Sequence, residues 1–314
     1  MIPLDEIRAA RERIAGAAVR TPLVRLAVDG APAQLHCKLE TLQPVNSFKI
    51  RGAANAIRRA DSGTVARGIV TASAGNMAQG VAWIARELGV PATIAVPEHA
   101  PQTKLEAIER LGGRIVRLPY DDWWQAIVES RVQGQEGLFV HPVADEAVMA
   151  GNGTIGLELL EDLPDLDAVV VPVGGGGLVV GIASAVKALA PAVRVVAAEP
   201  ETGAALTAAL AAGGPVDVAY EPSFVDGAGS RRVLEPMWPR LAEVVDEAVA
   251  VPLADARKAV ALLAQRMRVI AEGAGALALA AALAGRAGGG HVACIVSGGN
   301  IDRSTLVEIL AQTT

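Results

Sequence analysis

Lys49 stands in the run Asn46-Ser47-Phe48-Lys49-Ile50-Arg51-Gly52, in an otherwise largely apolar segment. Most lysines are solvated surface charges, but an amine desolvated in such a pocket has a lowered pKa and becomes a usable nucleophile toward an aldehyde. Phe48 beside it can pack on an aromatic ring. Far downstream, the strand-like Ala168-Val169-Val170-Val171-Pro172-Val173 runs into Gly174-Gly175-Gly176-Gly177 and then a helical pattern. Without Cβ atoms that turn can wrap closely round a phosphate, whose charge the amides and the helix N-terminus stabilise. An amine and a phosphate cradle together call for a phosphorylated aldehyde held as a Schiff base.

Two other turns join a strand to a helix. Thr71-Ala72-Ser73-Ala74-Gly75-Asn76 offers a hydroxyl, a side-chain amide and free N–H groups, which suits a carboxylate and equally suits an ordinary helix cap. Ser297-Gly298-Gly299-Asn300 has a serine that could meet a ring nitrogen or cap the last helix. Gly151-Asn152-Gly153-Thr154-Ile155-Gly156 matches the dinucleotide fingerprint GxGxxG, but no strand runs directly into it and no ribose-binding acid follows at the required distance. It reads as the glycine-assisted start of a helix.

Helical and strand-like periods alternate around these turns as in a parallel sheet covered on both faces. Strands are predicted at Ile69 to Ala72, Ala92 to Val96, Arg114 to Leu118, Leu138 to Val140, Ala168 to Val173, Arg194 to Ala198 and Val292 to Val296. Helices are predicted at Asp5 to Ala17, Asn76 to Leu88, Thr103 to Leu111, Trp123 to Val132, Thr154 to Leu163, Leu178 to Leu189, Ala254 to Arg268, Gly275 to Leu283 and from Ser304 onward. The class is α/β in two lobes, with the cleft between them as the default site. A length of 314 residues and 52% hydrophobic content suffice for both lobes. A net charge of -6 without any basic run argues against nucleic acid. The acidic N-terminus lacks a long apolar core, so neither a signal peptide nor a membrane anchor is expected, and the location is read as cytoplasmic. Cys37 and Cys294 read as reduced, packed thiols, and the four scattered histidines give no metal site.

The runs Arg20-Thr21-Pro22-Leu23, Lys38-Leu39-Glu40, Ser47 to Ala53, Ser73-Ala74-Gly75-Asn76, Gly174 to Gly177, Glu272-Gly273-Ala274-Gly275 and Ser297-Gly298-Gly299-Asn300 occur in this order. Together they resemble the fold-type II pyridoxal-phosphate enzymes, specifically the threonine/serine dehydratase and serine racemase group. The resemblance implies two open, mostly parallel twisted sheets with helices on both faces, like the tryptophan synthase β chain. It implies a large cofactor-binding domain of residues 1–65 and 144–314, a small domain of residues 66–143, and a homo-oligomer, expected as a dimer. By that likeness Lys49 would hold pyridoxal 5'-phosphate, with Phe48 against its ring, Asn76 on its phenolic oxygen and Glu272 lining the ring pocket. Gly174, Gly175, Gly176, Gly177 and Leu178 would bind its phosphate, and Ser297 would face its ring nitrogen. Ser73, with Ala74, Gly75 and Asn76, would hold the amino acid's carboxylate. A serine at the ring nitrogen favours β-elimination over transamination, so the implied reaction converts L-threonine or L-serine to a 2-oxo acid and ammonia. The alternatives are a 3-hydroxyaspartate dehydratase, a serine racemase, or a β-replacing enzyme of the cysteine synthase type.

Departures from the family pattern narrow this. The racemases carry a serine where Ala74 stands, and alanine cannot return a proton to the opposite face, so dehydration is preferred. Met77 replaces the usual histidine, and Asn46 the usual glycine. Some relatives bind a divalent cation through a glutamate matched by Glu199 and an aspartate six residues on, where Ala205 stands here, so no cation site is expected. With little chain after the last sheet element, the regulatory domain of the biosynthetic threonine dehydratases and feedback by isoleucine are not expected.

Overall fold

The computed structural model describes residues 1–312. Two sheets carry the fold. The larger has the order β1-β2-β10-β7-β8-β9, where β1 is Leu23–Leu26, β2 Gln34–Leu39, β7 Ala168–Pro172, β8 Arg194–Pro200, β9 Glu247–Val251 and β10 His291–Val296. The smaller has the order β5-β4-β3-β6, where β3 is Ile69–Ala72, β4 Ala92–Pro97, β5 Arg114–Leu118 and β6 Leu138–Phe139. All pairings are parallel except β1 with β2. This is the expected α/β architecture of two mostly parallel sheets. Strands such as β7 (AVVVP) are buried along their whole length because helices cover both faces, so their sequence shows no alternation.

The topology decides where the chemistry goes. β2, β10 and β7 are neighbours running in the same direction, and the segments leaving their C-terminal ends carry Lys49, Ser297 and the tetraglycine respectively. The Ser73 turn leaves the C-terminal end of β3 in the smaller sheet. Open α/β sheets bind ligands at this end of their strands.

The GxGxxG segment differs from expectation. It lies inside one long helix, Glu146–Asp162, rather than at a helix start. A Cβ at Gly151 would fall 2.4 Å from the Arg51 carbonyl oxygen, at Gly153 2.8 Å from that of Gly181, and at Gly156 2.7 Å from that of Ile182. The three glycines let this helix lie against its neighbours Lys49–Arg59 and Gly177–Leu189, the helices that begin at the lysine and at the cradle. Asp145 supplies the true N-cap, accepting from the Ala147 N–H at 2.7 Å. Other boundaries shift for local reasons. The helix expected at Trp123 to Val132 is Tyr120–Val128, starting directly after Pro119, and the one expected to end at Arg268 leaves α geometry at Leu263 for a π turn, Leu263–Met267.

One buried polar cluster braces the lysine-bearing helix. Arg51, 1% exposed, forks onto Glu40 (Nε–Oε2 2.8 Å, Nη2–Oε1 2.8 Å) and onto Glu158 (Nη1–Oε1 2.6 Å, Nη2–Oε2 2.9 Å). Lys38 Nζ lies 2.7 Å from Glu158 Oε2 and donates to the Thr21 carbonyl. Burial pushes the Glu40 carboxyl up, but the charge and hydrogen bonds of Arg51 outweigh that and hold it below the usual carboxylate range. β2, the 3₁₀ turn that follows it and two helices are thereby tied together two residues from Lys49.

Candidate active site

Lys49 is the first residue of its helix, and the loop before it is stapled to the loop after β10. The Phe48 N–H donates to the Ser297 carbonyl at 3.0 Å, and the Gly299 N–H to that of Asn46 at 2.9 Å. Asn46 has φ 54, which explains why glycine is usual there: the turn needs the left-handed region, and asparagine is among the side chains that tolerate it. Lys49 Nζ donates to the Pro142 carbonyl at 2.9 Å and lies 5.2 Å from the centroid of the Phe48 ring. Desolvation pulls its pKa down from the usual lysine value to about 8, against a weaker opposing pull from Glu272. The chain has five lysines, and the other four, Lys38, Lys104, Lys187 and Lys258, each have a carboxylate within ion-pair distance. Lys49 alone has only a neutral carbonyl among the described residues, so its amine is the one available for reaction.

The tetraglycine passes from β7 to the helix Gly177–Leu189, with Gly176 left-handed at φ 93 as its N-cap. A Cβ at Gly175 would meet Val143 Cγ2 at 2.4 Å, and one at Gly177 the Val143 carbonyl oxygen at 2.8 Å. The chain is thus pressed against the His141–Ala144 segment with only amides to present, and Leu178 is buried in the core, leaving its N–H as its contribution. Ser297 is buried at 3% exposure at the C-terminal end of β10, and nearby the buried hydroxyl of Ser47 has no partner among the described residues.

The Ser73 turn ends at Gly75, and no side chain caps the helix Asn76–Leu88 that follows. Ser73 Oγ accepts from the Gly75 N–H at 3.2 Å, so the first helical N–H groups stay open to an anion. Ala74 is partly buried in this turn, whereas Met77 points into the hydrophobic core at 1% exposure. Asn76 makes a contact that the sequence does not reveal. Its Nδ2 donates to Glu272 Oε1 at 2.8 Å, while its Oδ1 accepts from Asn300 Nδ2 at 2.7 Å. Burial, then repulsion from Asp226, push the Glu272 carboxyl up to about 7, with Asn76 opposing. Asp226 itself pairs with Lys104. Gly298 must lack a side chain here, since its Cβ would fall 2.5 Å from Glu272 Oε1. Glu199 plays a structural part instead. Its carboxylate accepts from the N–H groups of Leu206 (2.9 Å) and Thr207 (2.8 Å), capping the helix Ala205–Ala212.

Contacts tie the Lys49 loop to the Ser297 turn, both Lys49 and the tetraglycine to the Pro142–Val143 segment, and Asn76 to Glu272 and Asn300; Pro142, Val143 and Asn300 add to the residues expected from sequence. The groups fit a phosphorylated pyridine aldehyde in kind, with a glycine cradle that leaves no room for a Cβ at Gly175 or Gly177, a buried serine, an aromatic face and one unpaired amine.

Comparison with known proteins agrees with this reading. The chain belongs to the pyridoxal-phosphate dependent enzymes, whose family model matches residues 14–298. It is 39% identical over 316 residues to the L-threonine ammonia-lyase of Thermotoga maritima, covering 99% of this chain and 78% of that protein. To the serine racemase of Oryza sativa subsp. indica it is 36% identical over 321 residues, covering 98% of this chain and 93% of that one. Among solved structures, maize serine racemase superposes with a TM-score of 0.88 at 33% identity, covering 98% and 97% of the two chains. The processed form of threonine deaminase isoform 2 from Solanum lycopersicum gives 0.87 at 31% identity, covering 99% and 88%. The enzyme thus uses pyridoxal phosphate. No helix among the described residues is long and apolar enough to cross a membrane.

Proposed function

We propose that this enzyme is an ammonia-lyase that removes water from L-threonine or L-serine, or a closely related 3-hydroxy amino acid, and releases the 2-oxo acid and ammonia. The observation that carries the reading is that Lys49 has a desolvated amine with only a neutral carbonyl as partner, while the turn after β3 carries Ala74, which has no proton to give, where the racemases carry a serine. The cofactor, when bound, supplies an electron sink conjugated to the substrate's Cα. Lys49 would hold it covalently, Phe48 would pack on its ring, and Asn76 and Glu272 would line the ring's edge. Gly174 to Leu178 would present amides to its phosphate, and Ser297 a hydroxyl to its ring nitrogen. The Ser73 turn, with the open N-terminus of helix Asn76–Leu88, would bind the substrate carboxylate. Lys49 Nζ would then take the Cα proton and hand it to the departing β-hydroxyl, which leaves as water. Residues 66–143, which contain the smaller sheet and the Ser73 turn, act in this reading as a small domain, and residues 1–65 with 144–314 as the large one. The reading also takes the protein as a cytoplasmic homodimer, which light scattering at twice the 32.1 kDa chain mass checks.

The direct experiment is to supply L-threonine and L-serine to the holoenzyme and measure 2-oxo acid and ammonia together. Equimolar release of both supports the lyase; racemised substrate without 2-oxo acid would favour the racemase, the activity named for the rice and maize relatives. Ala74→Ser tests the contrast with the racemases. It should add measurable exchange of the substrate's configuration while elimination persists, and a wild type already racemising serine as fast as it eliminates would contradict the role given to Ala74.

Two expected results concern cofactor loading rather than turnover. The neutral amine is the reactive form, so the rate at which the apoenzyme takes up pyridoxal phosphate should rise with pH to a midpoint near 8, set by Lys49, instead of climbing toward the ordinary lysine range. A spectral rate that is flat from pH 6.5 to 9 would show that Lys49 is not the group being titrated. Gly175→Ala should weaken cofactor retention about tenfold or more, because its Cβ meets stiff, branched Val143 and the loop must yield. Adding Val143→Ala should recover part of that loss in equilibrium dialysis.

A further inference from the structure

A cavity of about 890 Å³ opens between the His141–Ala144 segment and Gly229, and four of its 17 lining residues are aromatic. Aromatic residues are only 3% of the chain, yet both tyrosines, Tyr120 and Tyr220, and two of the four tryptophans, Trp123 and Trp124, face this one space. Tyr120 and Trp124 are 61% and 42% exposed. Large apolar side chains left open together in a groove mark a surface that a ligand covers. Its position ties it to Lys49. Pro142, which accepts from Lys49 Nζ, is flanked by His141 and Ala144, the latter two residues on, and both line the cavity. Burial first, and the charge of Lys49 in part, hold His141 below its usual pKa. On the other side the cavity reaches Gly229, whose N–H donates to the carbonyl of Val173, the residue before the cradle.

We propose that this cavity receives the substrate's β-substituent, and that the enzyme's 3-hydroxy amino acid carries an aromatic or comparably bulky apolar group, as in the 3-arylserines. This rests on the lyase reading and sharpens it. A hydroxymethyl group is roughly the size of one water molecule, whose share of the liquid is about 30 Å³, and would leave the indoles of Trp123 and Trp124 facing solvent. An aryl ring covers them, with stacking or edge contacts that serine and threonine cannot make. Arg231, exposed and without an ion-pair partner among the described residues, is the one lining group that would favour an acidic side chain instead. Arg232 is engaged by Glu235 and Asp217. For 3-phenylserine the Cα–H and Cβ–O bonds break, and the proton taken by Lys49 is handed to the departing hydroxyl, which leaves as water; the enamine left behind gains a proton at Cβ as its nitrogen loses one. One water then hydrolyses the resulting imine, giving phenylpyruvate and ammonia.

The test has two arms on the holoenzyme. In the first, kcat/KM for 2-oxo acid release is compared for 3-phenylserine, threonine, serine and 3-hydroxyaspartate. Phenylserine should lead threonine by about tenfold or more, and Trp124→Ala should remove that lead mainly through KM, with Trp124→Phe restoring most of it. In the second, tryptophan fluorescence is followed during titration with L-phenylalanine, which has the ring but no hydroxyl to lose. Saturable quenching, absent with L-alanine and in Trp124→Ala, supports the assignment. Preference for threonine, serine or 3-hydroxyaspartate overturns the substrate class while leaving the lyase standing. Failure of all four substrates to give a 2-oxo acid overturns the lyase reading itself, and absence of quenching by L-phenylalanine overturns the cavity assignment whatever the turnover.

Discussion

Replacing Lys49 by alanine is expected to abolish both the visible absorbance of the bound cofactor and the release of 2-oxo acid, the latter by on the order of 10⁴-fold or more. The loss follows from position. Lys49 is the one lysine without a carboxylate partner, its amine is partly neutral near pH 8, and it stands where the ends of β2, β10 and β7 converge. One side chain thus has two duties, holding the cofactor and taking the Cα proton, and no neighbour among the described residues can replace it in either. Lys258→Ala, at an exposed residue paired only with Asp255, should leave spectrum and turnover unchanged. Substantial ammonia release by Lys49→Ala would refute the assignment.

The second large effect is on stability. Arg51→Met should lower the free energy of unfolding by about 3–5 kcal/mol, because it leaves Glu40 and Glu158 buried with only Lys38 to answer their charge. Arg51→Lys should recover little, since an ammonium cannot fork onto two carboxylates. The sign of the pH dependence follows. In the wild type Glu40 titrates below its unfolded value, so it contributes stability above the ordinary carboxylate range and loses it only as pH falls through its own depressed pKa. Without Arg51, the burial of Glu40 is opposed only by Thr21 and Lys38 and its carboxyl titrates higher, so the deficit should be largest at pH 8 and shrink toward pH 5. Urea midpoints at the two pH values measure this, and a loss under about 1 kcal/mol that does not change with pH would contradict it.

How far fold and site can be read from sequence depends on the kind of signal each element leaves. Lys49, the tetraglycine and the Ser73 and Ser297 turns are legible because each is a short run whose residue types are themselves the chemistry. The core strands β3, β4, β7, β8 and β10 are legible as apolar runs between turns. The edge strand β9, with the sequence EAVAV, is half-solvated and short, and it passes for part of an irregular stretch. The lysine helix Lys49–Arg59 goes unseen because its apolar and polar residues are both buried, the polar ones by partners far away in sequence. Gly151, Gly153 and Gly156 mislead for the same reason: glycine reads as a helix boundary until the neighbouring backbone that forbids a Cβ is known. Within the site, what escapes is contact between segments. Pro142 acts through its carbonyl, Val143 through its bulk, and Asn76 meets Glu272 across 196 positions.

All of the chemistry depends on where the cofactor is attached, and borohydride reduction of the holoenzyme, followed by digestion and mass spectrometry of the modified peptide, locates that bond. The added pyridoxyl mass is expected on Lys49, in stoichiometric yield and on none of the other four lysines. A modification on Lys38, Lys104, Lys187 or Lys258, or an unmodified Lys49 in coloured protein, would show the attachment to be elsewhere.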